Sequence, residues 1–170
     1  MRTKEQVSRK VSTRHAGVLA PHWVIATWFG CGYSPKAPGT VGSVAAILIA
    51  WPLSLIGFNN LGFLALSLAA LYPAIRAAGT VALEAGLKDP QIVVIDEVLG
   101  QWLTLAGALR FNWRTFLFAL LLFRFFDILK PPPIRLIERV PGGAGIVLDD
   151  MMAGACAALV LFVLGWFNRY

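Results

Sequence analysis

Arg124-Phe125-Phe126-Asp127-Ile128-Leu129-Lys130-Pro131-Pro132-Pro133-Ile134 closes one long apolar run, and Gly142-Gly143-Ala144-Gly145-Ile146-Val147-Leu148-Asp149-Asp150 opens the next. Three prolines stop a helix, and the glycines mark a loop. On a helix, Arg124 and Asp127 share a face, and so do Asp127 and Lys130. Charges in so apolar a chain are costly unless they are paired, hydrated or bound to an ion. The stretch therefore reads as helix, loop, helix, with charge gathered at the junction, and the charge needs a chemical reason.

Composition supports apolar helices. The 170 residues, the length of one domain, are 58% hydrophobic and only 14% charged, against about 25% charged in ordinary globular chains; mean hydropathy is +0.69. Several runs approach the ~20 residues that cross a bilayer. No strand alternation of useful length occurs, so the expected fold is all-α, a single multihelical domain with membrane-embedded or re-entrant segments. The net charge of +6 comes without a long basic cluster interleaved with aromatics, which argues against nucleic acid as partner. Residues 1–20 carry Arg2, Lys4, Arg9, Lys10, Arg14 and His15 with no signal-peptide core. They read as a basic tail on the cytoplasmic side, ahead of a helical domain over 21–170. Cys31 and Cys156 make no disulfide framework.

Working backwards from Arg124, the apolar segments are Thr115–Leu129, Val98–Leu109, Leu61 to about Ala78, and Val41 to about Ile56, with Thr40 as N-cap of the first. Glu84 to Pro90 reads as a polar turn. Forward, the last helix runs from about Met151 to Phe167. Asp149-Asp150 echoes Asp96-Glu97, each pair entering an apolar helix. If the segments cross in order, Thr40, Asp96, Glu97, Asp127, Lys130, Asp149 and Asp150 meet at one membrane face, inside the cell. Val98–Leu109 is short for a span; with its partner it could instead form a hairpin that dips in and returns, leaving the same residues on the same face.

Asp96, Glu97, Asp127, Asp149 and Asp150 are five of the nine acids. Clustered carboxylates repel one another unless a cation neutralises them, and hard oxygen ligands suit Mg²⁺. One such acid could simply cap a helix start; five converging call for a metal. The expected metal ligands are Asp96, Glu97, Asp149 and Asp150, around one or two Mg²⁺, with Asp127 completing the shell or orienting the attacking water. Arg124 and Lys130 suit a phosphate monoester. So do the free N–H groups of the Gly39-Thr40-Val41-Gly42-Ser43 helix start, which makes Thr40 and Ser43 candidate phosphate ligands. Asp96, Glu97, Asp127, Lys130, Asp149 and Asp150 form the expected catalytic set.

Absences narrow the chemistry. Ala37 stands where a cysteine-phosphatase loop beginning at Cys31 would need arginine. The two histidines, His15 and His22, are N-terminal, so neither a phosphohistidine nor a histidine-built zinc site is expected. Asp149-Asp150 is not an Asp-x-Asp phosphatase signature, and no Walker A loop is present. Metal-assisted hydrolysis by water remains. A small ion-coupled transporter is the alternative, but it would place acids near mid-span rather than at helix ends.

Four blocks in this order resemble the phosphatidylglycerophosphatase A family. They are Ser34-Pro35-Lys36-Ala37-Pro38-Gly39-Thr40-Val41-Gly42-Ser43, Asp96-Glu97-Val98-Leu99-Gly100, Phe123 to Ile134, and Gly142 to Asp150. The resemblance covers roughly residues 20–168. It implies an all-helical, Mg²⁺-dependent enzyme that removes the terminal phosphate of phosphatidylglycerophosphate, a phospholipid substrate held in the membrane. It also implies a bacterial inner-membrane location, with the active site facing the cytoplasm.

Overall fold

The computed structural model of the protein describes residues 20–137 and 140–167; the basic residues of the N-terminal tail lie outside them. Of the described residues, 76% are helical, in seven α-helices and one 3₁₀ turn, and no strand occurs among them. In chain order these are α1 (Pro21–Ala26), α2 (Pro38–Leu55), α3 (Asn60–Ala85), α4 (Ile95–Leu105), α5 (Trp113–Leu129), α6 (Pro132–Ile137) and α7 (Gly143–Trp166), with a 3₁₀ turn over Cys31–Tyr33.

α4 is the hub. Nine of its eleven residues are buried, so it is an internal helix packed on all sides rather than a lipid-facing one. Side-chain hydrogen bonds tie it to three neighbours. Trp102 Nε1 donates to the Ala46 carbonyl of α2 at 3.2 Å, Ser67 Oγ of α3 donates to the Leu99 carbonyl at 2.9 Å, and Thr104 Oγ1 reaches the Gly154 carbonyl of α7 at 3.4 Å. Small residues let the backbones approach. A Cβ on Gly154 would strike the Gly100 carbonyl, and one on Gly107 would strike the Ala158 carbonyl. Gly100 and Gly154 each lie four residues after an acid, Asp96 and Asp150. The seam that brings the two helices together therefore brings those two carboxylates together.

The outer helices are small inside and large outside. α2 buries Gly39, Gly42, Ser43, Ala46 and Ala50, while Leu48, Leu55 and Ile56 are exposed; Leu83 of α3 and Leu159 and Trp166 of α7 are exposed likewise. In water such a surface would aggregate. In a bilayer it is the expected arrangement, because lipid tails solvate large apolar side chains and helices associate through small ones. α2, α3 and α7, with 18, 26 and 24 residues, are long and apolar enough to cross a membrane.

Several expected boundaries are corrected. α2 starts at Pro38, not after Thr40, because proline is favoured in the first turn where its missing N–H costs nothing; Ala37, at φ 47°, takes the N-cap position. α3 continues to Ala85, so Glu84 is helical; Asn59 caps its start and Gly86, at φ 66°, ends it. α4 ends at Leu105 and is about 16 Å long, too short for the span expected over Val98–Leu109. It pairs with α5 as a hairpin that leaves one end of the molecule and returns to it. α7 begins eight residues before Met151, which places Asp149 and Asp150 inside the helix, about 10 Å from its start, rather than at its entrance. The short helices α1 and α6 carry too few residues for a periodic signal in the sequence.

Candidate active site

The chain reverses so that one end of the bundle collects the first turns of α2 and α4, the first two turns of α7, the last two turns of α5, and the loop before α4. Between them lies a cavity of about 240 Å³. From α4 it is lined by Asp96 and Glu97, from α5 by Arg124 and Asp127, from α7 by Ile146, Asp149 and Asp150, and by Lys130 at the end of α5. The predicted acids and cations therefore converge. Ala37, Pro38 and Gly39 form one wall, and Asp89, Gln91 and Val93 another.

At its floor one carboxylate oxygen each from Asp96, Glu97 and Asp150 lies within 4.8 Å of the others. Asp96 and Asp150 are more than nine-tenths buried. Asp96 Oδ1 has no hydrogen-bond donor among the described residues. Burial is the main cause that lifts the Asp96 carboxyl well above the usual carboxylate range; the negative charges of Glu97 and Asp150 raise it further. Burial also raises Glu97, partly offset by its hydrogen bond with Asp96 and by Arg124, while Asp127 pushes it up. Three hard, buried oxygens at this spacing could hold a divalent cation.

Around the floor the cations are held in place. Arg124 Nη1 lies 2.6 Å from Asp127 Oδ2 and 4.0 Å from Glu97 Oε1. Lys130 Nζ donates to Asp149 Oδ2 at 2.5 Å, and Asp149 Oδ1 accepts from the Asp150 backbone N–H at 3.0 Å. Asp149, expected among the metal ligands, stands outside the three-carboxylate cluster and faces Lys130 instead. Lys130 sits at φ 42°, the left-handed position after a helix that usually falls to glycine. A lysine kept there is aimed back over the cavity. Six lining carboxylates against two lining cations leave a formal charge of four negatives, unfavourable for a phosphate dianion unless a metal offsets it.

Two expected phosphate ligands are displaced. Thr40 is exposed, Ser43 Oγ is buried and donates to the Gly39 carbonyl at 2.9 Å, and neither lines the cavity. Because α2 starts earlier than expected, the part of its start that lines the cavity is the N-cap Ala37 with Pro38 and Gly39. Gly39 is needed there: a Cβ would collide with Glu97 Oε1 and lie 3.2 Å from Arg124 Nη1.

The sequence profile of the Phosphatidylglycerophosphatase A family matches residues 24–165. The chain belongs to the phosphatidylglycerophosphatase A family. Phosphatidylglycerophosphatase A of Haemophilus influenzae is 38% identical over 152 residues, covering 88% of this chain and 92% of the relative. Its namesake in Escherichia coli is 32% identical over 146 residues, covering 85% and 84%. A Bacteroides thetaiotaomicron protein provisionally named a phosphatidylinositol-3-phosphatase is 37% identical over 149 residues, covering 84% and 92%. No solved structure gives a significant match. Membership of the phosphatidylglycerophosphatase A family makes the chain a phosphatase and sets aside the transporter alternative.

Within the phosphatidylglycerophosphatase A site, sequence reasoning missed Asp89 and Gln91. Asp89 lies in the stretch read as a polar turn and Gln91 just after it, and no periodicity ties a loop residue to a helix face. The signal available was their nearness in sequence to Asp96, since a loop entering a helix passes the mouth of whatever that helix's first turn lines.

Proposed function

We propose that the protein hydrolyses the terminal phosphate monoester of phosphatidylglycerophosphate to phosphatidylglycerol and phosphate, with Mg²⁺, at the cytoplasmic face of the bacterial inner membrane. The observation that carries this reading is the meeting of Asp96, Glu97 and Asp150 with Arg124 and Lys130 in one cavity at the end of apolar helices.

Asp96, Glu97 and Asp150 would hold the ion. When bound, it offsets the negative charge of the cavity and of the phosphoryl oxygens and makes bound water more acidic. Asp149 holds Lys130 over the cavity, and Asp127 holds Arg124. The guanidinium fork and the ammonium then take the phosphoryl oxygens and stabilise the charge that develops on them. Water supplies the new P–O bond as the bond to glycerol oxygen breaks, and that oxygen leaves with a proton. The Asp127 carboxylate, paired with Arg124, is placed to orient the water. The cavity's charged lining suits a phosphorylated headgroup, and the lipid tails stay in the bilayer beside α2, α3 and α7. The three spans and the positive-inside rule support the orientation.

Purified protein in mixed micelles should release phosphate from phosphatidylglycerophosphate with Mg²⁺ and stop with chelator. Phosphatidylinositol 3-phosphate, offered in parallel, should be a poor substrate. Preference for the inositol lipid would overturn the headgroup assignment, and chelator-resistant turnover would overturn the metal assignment.

A further inference from the structure

Gln101 is buried to 0% exposure, yet neither its amide nitrogen nor its amide oxygen has a hydrogen-bond partner among the described residues. Buried amides are almost always bonded, to protein or to ordered water. Leucine or methionine would fill the same space in this apolar bundle without that penalty. Gln101 lies four residues after Glu97, on the same face of α4. Helical side chains lean toward the N-terminus, so its amide is tilted toward the turn that carries Glu97. Among the described residues that line the cavity, Asp96 Oδ1, Glu97 Oε2, Arg124 Nε and Arg124 Nη1 are likewise buried without a hydrogen-bond partner, and of these Glu97 Oε2 is an acceptor and Arg124 Nε a donor. Glu97 faces Gly39 of α2 and Arg124 of α5, so Gln101 occupies the next level down in the slot between those helices. There Ser43, the buried polar side chain of α2, is already satisfied by the Gly39 carbonyl.

We propose that Gln101 is a positioning residue for Glu97, joined to Glu97 Oε2 and Arg124 through a shared buried water beneath the cavity. A water there receives two to four partners, as buried waters require, and three sets of unmatched groups are satisfied at once. The amide fixes the carboxylate's rotation, so that its other oxygen is presented with those of Asp96 and Asp150. Partners that orient ligating carboxylates typically change metal affinity by 10–100-fold when removed. This role rests on the metal reading of the cavity.

The test is Gln101→Met, which keeps length and volume but removes both polar atoms. Calorimetric titration with Mn²⁺ should show affinity about 10-fold weaker or more, with the melting temperature of the metal-free protein little changed. Gln101→Glu, which keeps an acceptor for the water, should recover part of the affinity. Unchanged Mn²⁺ affinity in Gln101→Met overturns the proposal, because a purely packing role would leave it untouched. If the wild type takes up no divalent ion, the metal reading fails separately. The link is then decided by cross-relaxation between the Gln101 side-chain amide protons and water in micelles: a cross-peak lost in Glu97→Leu supports it, and no cross-peak overturns it.

Discussion

Gly154→Ala should disable the site from a distance, without removing any group that touches the substrate. The added Cβ would strike the Gly100 carbonyl oxygen and lie 3.0 Å from both the Gly100 carbonyl carbon and Cα. Carbon atoms prefer separations of about 3.5–4.0 Å, so the α4 and α7 backbones must part by roughly 0.5–1 Å. Both obstacles are main chain in packed helices, and no side chain can swing away. Overpacking of this kind costs about 1–3 kcal/mol; the better helix propensity of alanine returns up to about 1 kcal/mol. The net loss of about 0–3 kcal/mol is less than the ~5–15 kcal/mol that holds a typical fold together, and leaves a folded protein. Asp96 and Asp150, each one turn before the contact, separate by a similar distance. Misplacement by about 1 Å can cost roughly 100-fold in rate, so phosphate release at limiting Mg²⁺ should fall by about that factor, with a raised Mg²⁺ half-saturation. Ala155→Leu, on the exposed flank of the same turn, should behave as wild type. Full activity with unaltered Mg²⁺ dependence in Gly154→Ala would refute the claim that this seam sets the carboxylate spacing.

Other expectations follow from single contacts. Gly39→Ala should lower activity by displacing Glu97 and Arg124 together, and turnover measured beside the melting curve will show whether activity falls further than stability. Lys130→Gly and Lys130→Ala should both lose about 100–1000-fold in kcat, but the glycine variant should be more stable by about 1 kcal/mol, because only it relieves the left-handed backbone; equal melting temperatures would contradict that strain. Burial and neighbouring carboxylates raise Asp96 and Glu97 above their ordinary values. The metal-free fold is therefore favoured at acid pH and loses that contribution as pH rises through the raised values. The ion takes the deprotonated forms, so its affinity should increase with pH and binding should release protons, read from calorimetry in buffers of different ionisation enthalpy.

Much of this was legible in the residues. Charges stranded in an apolar chain had to converge, and Asp96, Glu97, Arg124, Asp127, Lys130, Asp149 and Asp150 do line one cavity. The all-helical class followed from the lack of alternation. What escaped was set by packing. Proline in a first turn looks like a break in sequence, so α2 appeared to begin at Thr40 and its cavity-facing start was expected at Thr40 and Ser43, whereas Ala37, Pro38 and Gly39 line the cavity. Glycines at 143 and 145 read as loop, whereas they let α7 start early against Gly79 and Val140. The different duties of Asp149 and Asp150 could not be separated by adjacency. They point about 100° apart on a helix, one toward Lys130 and the other toward Asp96.

The central claim is that Asp96, Glu97 and Asp150 form the binding site of a divalent ion. Crystals of the detergent-solubilised protein grown with Mn²⁺ test it most directly, through the anomalous signal of the ion. The account predicts a peak within coordination distance, about 2.0–2.3 Å, of all three carboxylates, absent in Asp150→Asn. A peak elsewhere, or one that survives that substitution unchanged, would contradict it.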